Sequence, residues 1–369
     1  MRDHHGGEVS RQSGTASPGA KFEREIHEQP GCLARLLADG RGAVEEIAAA
    51  VRRFAPAFVV TAARGSSDNA ARYAKYLFGV HNRLVVSLGA PSLVTLYRAQ
   101  PALDRALIVG ISQSGESPDI IALLEEGRRQ GGLTVALTNS PASPLAQAAE
   151  YVLDLRAGAE ESVVASKSYT CQLMGLAMLS AALEQQQPAR WRDLDAVPDA
   201  VRRTLELNRE EVPSSARPRE LLAAERMLVM GRGFNFCTTF EVALKLKETA
   251  YVMAEPYATP DLFHGPLAML QPGFPALVIA PRGATLPSTL EALEILEGRG
   301  AHILALSDDE AVLNRAGTRV RLPFVAGVPE WLSPLVAVLP GQLCALRLAR
   351  ARGLDPDHPR GLTKVTKTR

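Results

Sequence analysis

Short apolar runs alternate along this chain with stretches whose apolar positions recur at helical spacing. The runs cover residues 57–62, 84–88, 106–111, 133–138 and 151–155, and the helical pattern covers 69–78 and 118–129. Strands alternating with helices predict a parallel sheet covered by helices on both faces. A long helix is predicted over 169–183, and a Gln-, Pro- and charge-rich stretch follows at 184–218. That stretch reads as a connecting helix and a domain boundary.

Beyond it the pattern restarts. The run at Met227, ending in Arg232-Gly233, echoes the run at Val59, ending in Arg64-Gly65, 168 residues earlier. The run at Ala276 echoes that at Ala106 with an offset of 170, and the run at Ile303 echoes that at Thr134 with an offset of 169. Three matches in order at a nearly constant offset indicate tandem duplication of one α/β unit.

Composition narrows the picture. A chain of 369 residues is long enough for two domains and a large core. Lys+Arg is 41 and Asp+Glu is 40, a formal net charge of +1, so a nucleic-acid partner is not expected. No window is apolar enough to predict a membrane span. Cys32, Cys171, Cys237 and Cys344 are scattered without a CxxC pair. That spacing predicts neither a disulfide framework nor a zinc site, and it suits a reducing cytoplasm. The start lacks the apolar stretch of a signal peptide. Residues 1–24 read as a disordered tail, with a metal contact by His4 and His5 the lesser alternative.

The most informative loop is Ser112-Gln113-Ser114-Gly115-Glu116-Ser117-Pro118, between a strand and a helix. Ser117 suits an N-cap and Pro118 the first helical turn. Hydroxyls, an amide and free backbone N–H groups then converge at the positive end of a helix dipole, which suits a phosphate monoester. The corresponding loop of the second half, from Pro281 to Pro287, lacks this hydroxyl cluster, so one phosphate site per chain is expected. No GxxxxGK[ST] motif is present, so nucleotide binding is not implied.

A second hydroxyl loop, Arg64-Gly65-Ser66-Ser67-Asp68-Asn69, lies at the same sheet edge; it suits sugar hydroxyls, and Ser67 or Asp68 also suits a helix cap. Lys245 and Glu248 share one helical face, where an exposed ion pair of a few tenths of a kcal/mol is the plain reading. Residues 255–266 form a Pro-rich loop carrying His264, and the tail from Pro359 ends in a basic segment containing Lys364. Taken alone, that tail would be expected to fray.

Together these residues resemble the tandem sugar-isomerase (SIS) family, over about residues 25–369. The likeness is to the isomerase half of glucosamine–fructose-6-phosphate aminotransferases and to stand-alone glucosamine-6-phosphate deaminases. It rests on Gly65-Ser-Ser, Ser112-Gln-Ser-Gly-Glu-Ser117, Val163-Val-Ala-Ser-Lys167, Ala243-Leu-Lys-Leu-Lys-Glu248, His264-Gly-Pro-Leu-Ala and Leu362-Thr-Lys364. The resemblance implies an α/β fold of two tandem SIS domains, each a doubly wound parallel sheet between helical layers. The expected division is a tail at 1–24, domain 1 at 25–190, a linker at 191–218, domain 2 at 219–355 and an active-site tail at 356–369.

It also implies roles. Ser112, Gln113, Ser114 and Ser117 would bind phosphate, while Ser66, Ser67, Val163 and Ala165 would hold the sugar. Glu248 would move the proton between C1 and C2, with Lys245 orienting it. His264 would assist ring opening from the neighbouring subunit of a homodimer, and Lys364 would approach the carbonyl or stabilise its oxyanion. Neither metal nor organic cofactor is implied; the partner is a small phosphosugar.

The implied activity is conversion of glucosamine 6-phosphate to fructose 6-phosphate and ammonia. The alternatives are an isomerase or deglycase of another amino-sugar phosphate, or a sugar-phosphate sensor that does not turn over. Too few residues precede the first domain for an amidotransferase domain, so glutamine-driven synthesis is not expected. Three positions depart from the aminotransferase pattern: Ala165 for Ser, Phe263 for a basic residue and Val242 for Gly.

Overall fold

A computed structural model describes residues 17–184, 188–209, 222–315 and 320–364. The tail residues 1–16, with His4 and His5, lie outside the described residues. Helix α1, Ala20–Phe54, opens the fold inside the stretch expected as tail. Phe22, Ile26, Leu33, Leu36, Val44, Ile47 and Val51 recur every three or four positions and are buried, which is why the segment is helical and docked from its first turn.

The first half builds a five-stranded parallel sheet from β1 (Phe58–Ala62), β2 (Val86–Leu88), β3 (Ala106–Ser112), β4 (Leu133–Thr138) and β5 (Tyr151–Asp154). Its order is β2-β1-β3-β4-β5. Helices α2 (Ser66–Asn82), α3 (Pro118–Arg129) and α4 (Lys167–Leu183) flank it, and α5 (Val197–Leu207) follows.

The second half has β6 (Arg226–Gly231), β7 (Met253–Ala258), β8 (Pro275–Ile279), β9 (His302–Ser307) and β10 (Val320–Pro323), all parallel. Their order is β7-β6-β8-β9-β10, the same as in the first sheet. The duplication read from the strand offsets is therefore a duplication of topology. Helices α6 (Phe236–Ala250) and α7 (Ser333–Ala351) complete this half.

One apolar core runs through both halves, filled by α1, α2, α4, α6 and α7 between the sheets. Smaller clusters cover the outer face of each sheet. A buried hydrogen bond from Gln29 Nε2 to Gln342 Oε1, 2.8 Å, ties α1 to α7. Helix α7 is apolar enough by composition to cross a membrane, yet 94% of that window is buried in protein. Val242 packs against Gly341 of α7, where an added Cβ would sit 2.3 Å from Val242 Cγ2.

The connecting stretch holds the expected helix and a second one, and the expectation of a Pro-rich loop is corrected. The linker is ordered from 188 to 209 and holds two helices, Pro188–Asp195 and α5, with Val197, Val201 and Leu205 buried. The Pro-rich loop begins as strand β7, because Pro256 needs no ladder N–H on the outer side of an edge strand. A short helix, Thr259–Phe263, follows it.

Candidate active site

Strand β3 ends at Ser112 and α3 begins at Pro118, so the hydroxyl loop sits at the carboxyl end of a central strand, where open sheets bind ligands. Gly115 adopts φ 68°, and a Cβ there would lie 2.0 Å from Ser143 Oγ, so only glycine lets the loop fold this tightly. Ser112 Oγ accepts from Gly115 N, 3.1 Å, and Ser114 Oγ from Glu116 N, 3.3 Å. Ser117 occupies the N-cap position, but its hydroxyl makes no cap bond. It lines the cleft instead. Arg64 reaches the first turn of α3, with Nη2 2.7 Å from the buried Asp119 carboxylate.

The loop after β1 turns at Gly65, φ 56°, and α2 begins at Ser66. Ser67 and Asp68 therefore sit inside the first turn rather than capping it; Asp68 pairs with Arg72 at 3.0 Å. Ser66 Oγ donates to Glu241 Oε1, 3.0 Å, and Asn69 Nδ2 to Glu241 Oε2, 2.8 Å. These bonds join the first half to α6 of the second.

On α6, Lys245 has no exposed surface, which overturns the reading of a solvated pair. Its Nζ lies 2.7 Å from Glu248 Oε2 and 3.3 Å from Glu241 Oε1. Burial would lower the Lys245 pKa, but the two carboxylates outweigh it and hold it above the ordinary lysine value. Burial raises the Glu241 carboxyl in spite of Lys245. Glu241 was missed in the sequence, although Glu241, Lys245 and Glu248 at i, i+4 and i+7 mark one helical face.

The third wall is the segment between β5 and α4. Glu25 of α1 holds it by accepting from the backbone N–H groups of Glu161 and Ser162. Within it Glu160 accepts from Ser166 N and Ser168 N, each 3.0 Å, and from Ser168 Oγ, 2.7 Å. Lys364 Nζ then lies 3.0 Å from Glu160 Oε2 and donates to Ser162 O, 2.6 Å. Burial would raise the Glu160 carboxyl; Lys364 and the three donors outweigh it and lower it.

The tail is tied down before it reaches this wall. Asp357 accepts from Lys21 N and Phe22 N, 2.8 and 2.9 Å, and Arg360 N donates to Tyr251 OH, 2.9 Å. Neither Glu25 nor Glu160 carries a local sequence signal, since each acts on a segment distant in sequence or folded back upon it.

These walls enclose one cleft of roughly 320 Å³. Ser66, Ser67, Ser112, Gln113, Ser114, Ser117, Val163, Ala165, Glu248 and Lys364 all line it, together with the unanticipated Arg64, Glu160, Ser168 and Gln172. Lys245 stands behind Glu248. His264 caps the short helix Thr259–Phe263, is exposed, and does not line the cleft of its own chain.

The counterpart loop of the second half is filled from within. Ala284 N donates to Glu330 Oε2, 2.7 Å, and Thr285 Oγ1 to Glu330 Oε1, 3.0 Å. A Cβ on Gly283 would lie 2.3 Å from the Glu330 carboxyl carbon. A carboxylate of the chain thus occupies the place that the first half leaves open.

Comparison with known proteins agrees with this architecture. The SIS domain matches twice, over residues 58–182 and 220–349. A glutamine–fructose-6-phosphate aminotransferase of Thermococcus kodakarensis is 33% identical over 346 residues, which is 92% of this chain and 57% of that protein. The chain thus spans little more than half the length of that relative. A crystal structure from Silicibacter pomeroyi DSS-3, described as a candidate phosphosugar isomerase, superposes with a TM-score of 0.79 at 32% identity, covering 91% of this chain and 99% of that one. The C-terminal domain of glucosamine-fructose-6-phosphate aminotransferase from Francisella tularensis gives a TM-score of 0.83 at 27% identity, covering 95% and 100%.

Proposed function

The chain belongs to the SIS family, with two SIS domains in tandem, and from that premise we propose that it converts glucosamine 6-phosphate and water to fructose 6-phosphate and ammonia. The observation that carries this reading is one cleft lined by both the Ser112–Ser117 hydroxyl loop and Glu248, a carboxylate from the other half.

Ser112, Gln113, Ser114 and Ser117 bind the phosphate, whose binding energy positions the distant reacting carbons. Glu248 removes the proton from C2 of the open-chain aldehyde and returns it to C1. Lys245, fixed between two carboxylates, orients Glu248. Lys364, an ammonium in an ion pair, stabilises the negative charge that develops on the carbonyl oxygen. The resulting imine at C2 is hydrolysed, releasing ammonia. Ser66, Ser67, Val163 and Ala165 hold the sugar. The same reading makes the protein a cytoplasmic homodimer, in which the exposed His264 serves ring opening in the partner's cleft.

Incubation with glucosamine 6-phosphate, followed by assay of ammonia and fructose 6-phosphate, tests this. Both products in equal amounts support it. Ligand-induced stabilisation with no product from any phosphosugar of a panel identifies a sensor instead. Aldose–ketose conversion without ammonia identifies a simple isomerase.

A further inference from the structure

Gln172 lies in the second turn of α4, 1% exposed, and lines the cleft beside Ser67. Its Nε2 donates to Ser67 Oγ, 2.9 Å. The carboxamide oxygen is buried and has no hydrogen-bond partner among the described residues. An acceptor so placed is costly unless something in the cleft donates to it. Ser67 is half satisfied as well: its oxygen accepts from Gln172, and among the described residues nothing accepts its hydroxyl hydrogen. The pair therefore shows one open donor and one open acceptor at the same wall.

We propose that Gln172 is a specificity-determining residue that, with Ser67, recognises one alcohol of the sugar chain. That hydroxyl accepts from Ser67 Oγ and donates to Gln172 Oε1, closing a ring of three hydrogen bonds. Among the groups that the middle carbons of a sugar phosphate carry, an alcohol does both. A carbonyl oxygen accepts without donating, an ammonium donates without accepting, and a methylene does neither. The hydroxyl belongs to the carbons between the phosphate and the reacting pair, because the phosphate loop and Glu248 take the two ends. This inference rests on the phosphosugar reading above and assigns Gln172 a part in it.

The test is calorimetric titration of the full chain, wild type and Gln172→Leu, with a hexose 6-phosphate, its 3-, 4- and 5-deoxy analogues, and inorganic phosphate. The wild type is expected to bind one deoxy analogue on the order of 10- to 100-fold more weakly than the parent sugar. The variant is expected to bind the parent sugar that much more weakly and to lose the discrimination, with inorganic phosphate binding unchanged. Discrimination retained by the variant overturns the proposal, as does equal binding of all the deoxy analogues by the wild type; both leave phosphosugar binding standing. Loss of inorganic phosphate binding in the variant also overturns it, because the residue would then be supporting the loop. If the parent sugar does not bind the wild type, the functional reading fails and this inference with it.

Discussion

The Nζ of Lys364 lies 3.0 Å from Oε2 of Glu160, a carboxylate with no exposed surface. The tail is therefore bound, at Lys364, to the same wall that carries Val163 and Ala165. Lys364→Ala leaves Glu160 buried without its cation and is expected to lower stability in urea by about 1.5–3 kcal/mol, the scale of a charged hydrogen bond. The sign with pH follows from the lowered Glu160 carboxyl. Its stabilisation is complete above the ordinary carboxylate value and is lost as pH falls through the lower folded value. A melting-temperature series over acid pH, wild type against Glu160→Gln, should show this loss in the wild type alone.

Glu248→Gln is expected to lower turnover by at least ~100-fold while phosphosugar affinity stays near normal, as for a general base. Comparable turnover in steady-state assays would remove Glu248 from the mechanism. Lys245→Met acts on the fold as well. It strands Glu241 and Glu248 without their shared cation and should cost about 3–5 kcal/mol in urea denaturation.

Two serines in similar settings should behave oppositely. Ser143 caps its helix by accepting from Ala146 N, 3.4 Å, so Ser143→Ala should cost ~0.5–2 kcal/mol of stability. Ser117 makes no cap bond, so Ser117→Ala should change stability by no more than about 0.5 kcal/mol. Its effect should appear instead as phosphosugar binding weakened by roughly 10-fold or more, measured by titration.

Glu330 fills the second loop, so Glu330→Ala orphans Ala284 N and the Thr285 hydroxyl. Water can reach the exposed Ala284 N and the half-buried Thr285, so a loss of about 0.5–1.5 kcal/mol is expected in chemical denaturation. Phosphosugar affinity should hold, because the first loop is untouched; a large rise in dissociation constant would show the two loops to be coupled.

His81 links the halves: it stacks on Phe234, 5.7 Å between centroids, and its Nδ1 lies 2.7 Å from Arg190 Nη2. Burial, and then the Arg190 charge, lower its pKa to about 4 from an ordinary 6.5. The unfolded chain takes up this proton first, so stability should fall as pH drops from about 6.5 and level off near 4. Melting curves of His81→Gln should lack that component.

Much of the fold is legible in the sequence. The strands at 106–112 and 133–138 are mostly apolar because both faces are covered, and the Ser112–Ser117 loop is readable because consecutive residues build it. Long-range partners were not legible. The Lys245–Glu248 pair reads as solvated because helical spacing says which side chains share a face and not what covers that face. Here α2 covers it, through Ser66 and Asn69.

The sequence alone thus determined the repeated α/β unit and the hydroxyl loop, both carried by neighbours in the chain or by periodicity, while the role of Glu248 came only from the resemblance. Tertiary structure decided that the loop of one half and the carboxylate of the other share one cleft. It also decided that the tail is held as far as Lys364, and that the second loop is filled by Glu330. Each of these depends on groups tens to hundreds of residues apart, whose meeting is set by packing of the common core, and no local pattern encodes that distance.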